Sequence, residues 1–293
     1  MPVALPILVL VRDETVATSS AVVVMSAPTH DTVAFAERTP MPAPAITLLT
    51  DFGTADGYVA ELKGVLTTFA PRVPILDMSH DVPERDIEFG RLTLARYWRR
   101  FPVGTVHLVV VDPGVGSARE AIAVESDGRF LVGPDNGVLS PSLFALDARV
   151  VTLPIDLNAS ATFHGRDVFA PAAARLAVGA LLESLGERCI APERRRTPQP
   201  MRNSDGAMEG QVLTIDRFGN AITNVIARDV STVFVANHAV RVVRTYSDAE
   251  EGELVALTGS SGLLEIAVRD GHAASRLRLK RGQKVILLHS PRD

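Results

Sequence analysis

Residues Val106 to Arg119 read VHLVVVDPGVGSAR, and this stretch decides the fold. Apart from His107, its first six residues are apolar, which suits a central strand covered on both faces. Asp112 then falls at the strand's carboxyl end, and Pro113, Gly114 and Gly116 make the turn. In open α/β sheets that edge is where ligands bind, because the loops vary there while the strands hold them rigid. Arg119 follows in the same turn, so the pair is either a structural salt bridge or the centre of an active site.

Toward the N-terminus the pattern is strand, turn, helix, repeated. Ile46 to Thr50 reads as a strand, and TDFGTADG is a polar loop holding Asp51 and Asp56. Tyr58, Val59, Leu62, Val65, Leu66 and Phe69 recur at helical spacing, so residues 57–70 form an amphipathic helix stopped by Pro71. Val73 to Met78 is a second strand. Ile87 to Phe101 is a second helix, with Leu94 and Trp98 inward and Arg91, Arg99 and Arg100 on a solvated face. Three strands alternating with two helices signal a parallel sheet with right-handed crossovers.

Past Arg119, Ala121 to Glu125 and Arg129 to Val132 read as a hairpin about Ser126, Asp127 and Gly128. GPDNGVLSP is a turn-rich loop, and Val150 to Leu153 is another strand. FHGRDVFAPAAARLA, residues 163–177, enters an alanine-rich helix with Pro171 in its first turn or at a kink. A polar, proline-containing stretch follows. Thereafter Gln211–Ile215, Ala221–Val225, Val233–Val235, Val240–Val243, Leu254–Thr258, Leu263–Val268 and Lys284–Leu288 make short strands at close intervals, the mark of a small antiparallel barrel or sandwich. The expected architecture is therefore an extension over 1–44, an α/β domain with a mainly parallel sheet over 45–190, a linker over 191–208 and a C-terminal β-barrel over 209–293. Met41 is an alternative start, and the stretch before it reads otherwise as a mobile arm.

Composition narrows the function. The chain has 293 residues, 46% hydrophobic and 22% charged, enough for a large core in two domains. Its net charge of −4 gives no electrostatic support for nucleic acid or an anionic membrane, so small-molecule ligands are favoured. Val3 to Val11 is too short to span a bilayer and lacks a preceding positive residue. The one cysteine, Cys189, cannot form an internal disulfide, which suits a reducing cytoplasm and hints at no zinc cluster. No HExxH-like constellation occurs, and Asp51, Asp112 and Asp216 lack metal-ligand spacing.

Six motifs in order, TDFGTADGYVAELKG, VDPGVGSAR, GPDNGVLSP, TFHGRDVFAPAAA, IDRFGNAITN and SSGLLEIAV, resemble the S-adenosyl-L-methionine hydroxide adenosyltransferases, hydrolytic relatives of the fluorinating and chlorinating enzymes. The resemblance covers roughly residues 45–290. It implies an α/β domain followed by a small β-barrel, a homotrimer with sites between subunits, no cofactor, and displacement of methionine by water at the ribose 5′-carbon. Asp112, Arg119 and His164 match the family's catalytic Asp, Arg and His. Arg119 would favour a hydroxide-like nucleophile while Asp112 and His164 orient the water and accept its proton. Asp51 matches the acid that accepts both ribose hydroxyls. Asp216 and Ser261 match the pocket for methionine's ammonium and carboxylate, and Phe218 and Asn220 lie near adenine and the sulfonium. Backbone groups near Ala273 and Ala274 would reach adenine, with Tyr58 and Asn136 in support.

Without the resemblance, His164 reads as a cap or a core hydrogen bond, Arg166 with Asp167 as a local pair, FGN as a bare turn, and His80 and His107 as structural. A halide-using adenosyltransferase would share the pocket, but that branch lacks the full Asp–Arg–His set and carries an extra loop not seen here. A non-catalytic sensor of S-adenosylmethionine or adenosine has no use for a water-activating group. A metal phosphohydrolase would respond to divalent metal. A methyltransferase is disfavoured because the glycine-rich first-strand loop of that fold is missing.

Overall fold

The computed structural model describes residues 43–204, 206–226 and 230–289. Of the N-terminal extension, residues 1–42 lie outside that range, and so does the alternative start at Met41.

The apolar runs become strands because both sides of the sheet are covered. In chain order the first elements are β1 (Ile46–Thr50), α1 (Tyr58–Phe69), β2 (Ile75–Ser79), α2 (Ile87–Tyr97) and β3 (Val106–Val110). Next come β4 (Ala121–Ser126), β5 (Arg129–Pro134), β6 (Arg149–Leu153), α3 (Ala170–Ala177) and β7 (Glu187–Arg188). Leu48, Leu108 and Val110 pack with Leu62 and Leu66 of α1 and the alanines of α3. Their alternates Leu49, Val109 and Val111 face Leu94 of α2 and Trp98 on the other side. Each fully buried leucine contributes about 1.5–3 kcal/mol by leaving water, so strand register and helix placement fix one another.

The sheet order is β2-β1-β3-β5-β4-β6-β7. Strands β2, β1, β3 and β5 run parallel. The expected hairpin, β4 with β5, reverses the direction, and the seams beyond it are antiparallel. From β1 the chain goes outward to β2, then returns across to β3 on the opposite side. The carboxyl ends of β1 and β3 therefore flank a topological switch point, where a crevice opens because the connections leave in opposite directions.

The second sheet contains β8 (Met201–Arg202), β9 (Met208–Ile215), β10 (Ala221–Thr223), β11 (Val230–Val235), β12 (His238–Val242), β13 (Leu254–Thr258), β14 (Leu264–Val268) and β15 (Lys284–His289), with a short helix α4 (Ala273–Leu277) before β15. Its order is β10-β14-β13-β12-β11-β15-β9-β8, and β10 also pairs with β9, closing seven strands into a barrel. Its seams are antiparallel except β12 with β13, which run parallel.

Three local expectations change. The second helix ends at Tyr97, continuing as a tighter turn over Trp98–Arg100. Arg91, expected in solvent, is buried, with its guanidinium on Glu88 at 2.8 and 2.5 Å and on Thr197 Oγ1 at 2.9 Å, because the segment leading to the barrel crosses over it. The 163–177 helix begins with a wide π-type turn, Gly165–Phe169, before the α-helical part that holds Pro171. Asp86, the N-cap of α2, also receives both terminal nitrogens of Arg281, at 2.9 and 2.6 Å, tying the barrel to the sheet domain.

Candidate active site

Three side chains far apart in sequence meet beside the switch point. Arg119 donates to Asp112 through Nε at 3.0 Å and Nη2 at 2.5 Å, a two-pronged pair that fixes both planes. Nη2 also lies 2.9 Å from His164 Nδ1. Arginine only donates, so Nδ1 accepts, and the neutral imidazole carries its proton on Nε2. Both members of the ion pair are largely shielded, with side chains 9% and 5% exposed. The Phe169 ring lies under the guanidinium, 5.2 Å from ring centre to Cζ. Burial first, and then the Arg119 charge, holds the His164 pKa below the ordinary histidine value.

Local backbone makes this meeting possible. Gly116 has φ +76°, and a β-carbon there would stand 2.5 Å from the Ala161 carbonyl oxygen, so the turn after β3 nests against the loop that delivers His164. The wide turn at Gly165 then carries the chain into α3; such turns recur where helices serve function. Asp112 and His164 line a cavity of about 370 Å³. Phe52, Tyr58 and Phe163 form its aromatic side, with ring centres 5.3–6.1 Å apart.

Asp51 stands at the end of β1, next to β3, and accepts the Arg85 backbone N–H at 2.8 Å. Burial raises its pKa, with the nearby Asp112 charge adding to the effect. Arg166 makes its local pair with Asp167 at 2.7 Å and adds Glu61 of α1 at 2.8 Å. His107 is buried with Nδ1 2.7 Å from Thr47 Oγ1, and burial lowers its pKa to about 4. His80 is buried, with Nδ1 2.8 Å from Thr50 Oγ1 and Nε2 3.1 Å from Asp77 Oδ1. Asn136 closes its own turn, donating to the Val111 carbonyl at 2.9 Å.

The remaining expected residues gather on the barrel. Asp216 Oδ1 accepts the Phe218 and Asn220 N–H groups at 2.9 Å each, and its Oδ2 accepts Asn220 Nδ2 at 3.0 Å. Asn220 Nδ2 also donates to Tyr246 Oη at 3.2 Å, and that hydroxyl donates to Glu265 Oε2 at 3.3 Å. Burial and the Asp216 charge raise the Glu265 pKa; burial and Glu265 push Tyr246 up to about 12. Phe218 is 74% exposed.

Asp216, Phe218, Asn220, Tyr246 and Glu265 line one cavity, and Asp216 borders a second with Ser261. Ser260 borders both, whereas Ser261 borders only the second. The Ala274 N–H donates to the Gly219 carbonyl at 2.9 Å, so that amide is committed to the turn rather than free for adenine. Among the described residues, neither barrel cavity shares a lining residue with the Asp112–His164 cavity. Glu265 falls inside the SSGLLEIAV motif but reads there as a strand residue, and Tyr246 belongs to none of the six motifs, so the sequence singles out neither.

Models of the SAM hydroxide adenosyltransferase N-terminal and C-terminal domains match residues 46–186 and 210–286. The chain belongs to this family. It is similar to an (R)-S-adenosyl-L-methionine hydrolase of Salinispora arenicola, 42% identical over 83% of this chain and 97% of that protein. A fluorinase of Actinoplanes sp. is 27% identical over 84% of this chain and 98% of that protein. The crystal structure of an uncharacterized conserved protein from Thermotoga maritima superposes with a TM-score of 0.76 at 34% identity, covering 83% of this chain and all of that one.

One further grouping of ligand-type atoms lies apart from the residues assigned to the site: Glu120, Asp135 of the GPDNGVLSP motif and Cys189 come within 4.8 Å of one another. Burial, with the two carboxylates adding to it, raises the thiol's pKa.

Proposed function

We propose that this protein hydrolyses S-adenosyl-L-methionine to adenosine and L-methionine. The observation that carries the reading is the hydrogen-bonded Asp112–Arg119–His164 set at the switch point. In the step, water oxygen bonds to the ribose 5′-carbon while the carbon–sulfur pair leaves with sulfur. Methionine departs as a neutral thioether, so no acid is needed; the catalytic task is to position and deprotonate one water. Arg119 stabilises negative charge building on that oxygen. Asp112 keeps lone pairs beyond those used by Arg119 and takes the proton, which then passes to solvent. His164 has Nδ1 engaged by Arg119, so it orients the water through Nε2–H rather than accepting its proton.

Asp51 accepts the ribose hydroxyls. Asp216, Asn220 and Ser261 hold the amino-acid end and sulfonium region, and Phe218 stacks on adenine. The separate cavities and the exposed Phe218 support a site completed between copies, in a homotrimer. In this reading residues 45–190 are the catalytic domain, 191–208 the linker and 209–293 the barrel that closes the site, working in the cytoplasm without a cofactor. Among the described residues no helix is long and apolar enough to cross a membrane.

The test is to incubate chelator-treated protein with each sulfonium epimer of the substrate in oxygen-18 water and follow the products by mass spectrometry. Labelled adenosine with unlabelled methionine is expected. Intact but bound substrate would turn the reading to a sensor. A halide-dependent 5′-halo product would turn it to the fluorinase branch, and restoration by divalent metal would point to a metal hydrolase.

A further inference from the structure

S-adenosyl-L-methionine ends in a zwitterion, and a site that distinguishes this end from a simple amine needs a cation as well as an anion. The barrel cluster supplies carboxylates, Asp216 and Glu265, for the ammonium. A hydroxyl such as that of Ser261 is a weak partner for a carboxylate left in contact with them. Among the arginines bordering these cavities, Arg269 is held by Asp270 at 3.4 Å and by the Ala249 carbonyl, and Arg100 places Nε on the Arg96 carbonyl at 3.0 Å. Arg96 differs. Together with Asp216 and Ser260 it borders both barrel cavities, of about 920 and 960 Å³. Among the described residues its guanidinium has no carboxylate at ion-pair distance, and its one hydrogen bond is a long one, 3.4 Å, from Nη2 to Ser260 Oγ. A planar donor fork with open hydrogen-bonding capacity, beside the acid assigned to the ammonium, is what an α-carboxylate requires.

We propose that Arg96, reaching from α2 of the sheet domain to the barrel rim of the same chain, recognises the substrate's α-carboxylate and sets specificity for the amino-acid end. This rests on the S-adenosyl-L-methionine reading above. Arg96 is a specificity residue and takes no part in activating water. It also gives the contact between α2 and the barrel a purpose: the Asp86–Arg281 pair clamps the start of the same helix to the barrel. Its exposed position on α2 means that shortening it leaves the core intact.

The experiment compares kcat/KM for S-adenosyl-L-methionine with that for its decarboxylated amine analogue, in the wild type, Arg96→Gln, Arg96→Lys and Arg244→Ala. Arg244 borders the Phe218 cavity as the alternative cation. Arg96→Gln is expected to shrink the preference for the acid by about tenfold to a hundredfold, the usual range for losing a hydrogen bond to a charged group. Arg96→Lys should recover part of it, and the fall should lie in KM. If Arg96→Gln slows both substrates equally, or if only Arg244→Ala erodes the preference, the assignment is overturned while hydrolysis stands. A wild type that neither binds nor cleaves S-adenosyl-L-methionine overturns the substrate reading and this inference with it.

Discussion

The strand-end cluster around Arg119 and the barrel cluster around Asp216 both rest on a hydrogen-bonded carboxylate, yet they are built for different work. At the strand ends the charges satisfy one another under cover, with Asp112 and Arg119 almost shielded and a ring beneath the guanidinium. Such a group is preorganised: it holds a fixed field where charge will develop and needs little rearrangement when the reaction comes. On the barrel Asp216 folds back on its own turn, while Phe218 stands mostly in solvent. An aromatic face left open beside a wide cavity is where the proposed site would be covered by a ligand or a second copy. One region is finished within the chain, and the other waits for what it binds.

The sharpest way to break this contrast is Arg119→Ala. Turnover of S-adenosyl-L-methionine should fall by about 10²–10³-fold, the scale for losing a preorganised electrostatic group, while substrate affinity by calorimetry changes far less. A loss confined to affinity would place Arg119 with the binders. Asp216→Ala should do the opposite, raising KM by about tenfold to a hundredfold with kcat comparatively spared. Refolding the two variants together sharpens the point further. If sites form between copies, the mixture at substrate well below KM regains a kcat/KM higher than either variant has alone, and light scattering gives three times the 31.4 kDa chain mass. Mixed oligomers whose kcat/KM is only the average of the two variants would confine the whole site to one chain.

Gly116→Ala probes the joint inside the first region. A left-handed backbone position costs roughly 1–2 kcal/mol for alanine, and the added carbon would press on the Ala161 carbonyl at 2.5 Å. Thermal unfolding should come earlier and kcat should drop, whereas Gly262→Ala on the barrel, with φ +80° but open space, should show only the backbone cost in stability. The smallest effect is in pH. Protonating His164 would turn Nδ1–H toward a guanidinium, so activity should fall as pH drops through a His164 pKa below the usual value of about 6.5. Removing the positive neighbour with Arg119→Gln should move that titration upward in an NMR pH series. A downward shift would show that Arg119 does not set it.

Much of the first region was legible in one dimension. Valine-rich β3 and the Asp112–Arg119 turn are continuous in sequence, and a buried parallel strand admits few other residues. The antiparallel half of the sheet was visible as a hairpin and one further strand, Val150 to Leu153, without their order, because strand order depends on which neighbour finds an edge. Arg91 misled for a related reason: helical periodicity gives a face but cannot say what segment will later cross it, and here Thr197 does. Two-residue strands such as β7 and β8 carry too few side chains for a period.

By itself the sequence determined the two-part architecture, the family motifs and the identity of the charged groups, because these follow from local periodicity and from chemistry that side chains carry wherever they lie. Only the tertiary structure decided that His164 meets Arg119 through Nδ1, that Asp216 shares its surroundings with Tyr246 and Glu265, and that Arg96 reaches the barrel rim. Those are contacts between distant parts of the chain. Their geometry is set by how sheet, helices and barrel pack once water has been driven from between them.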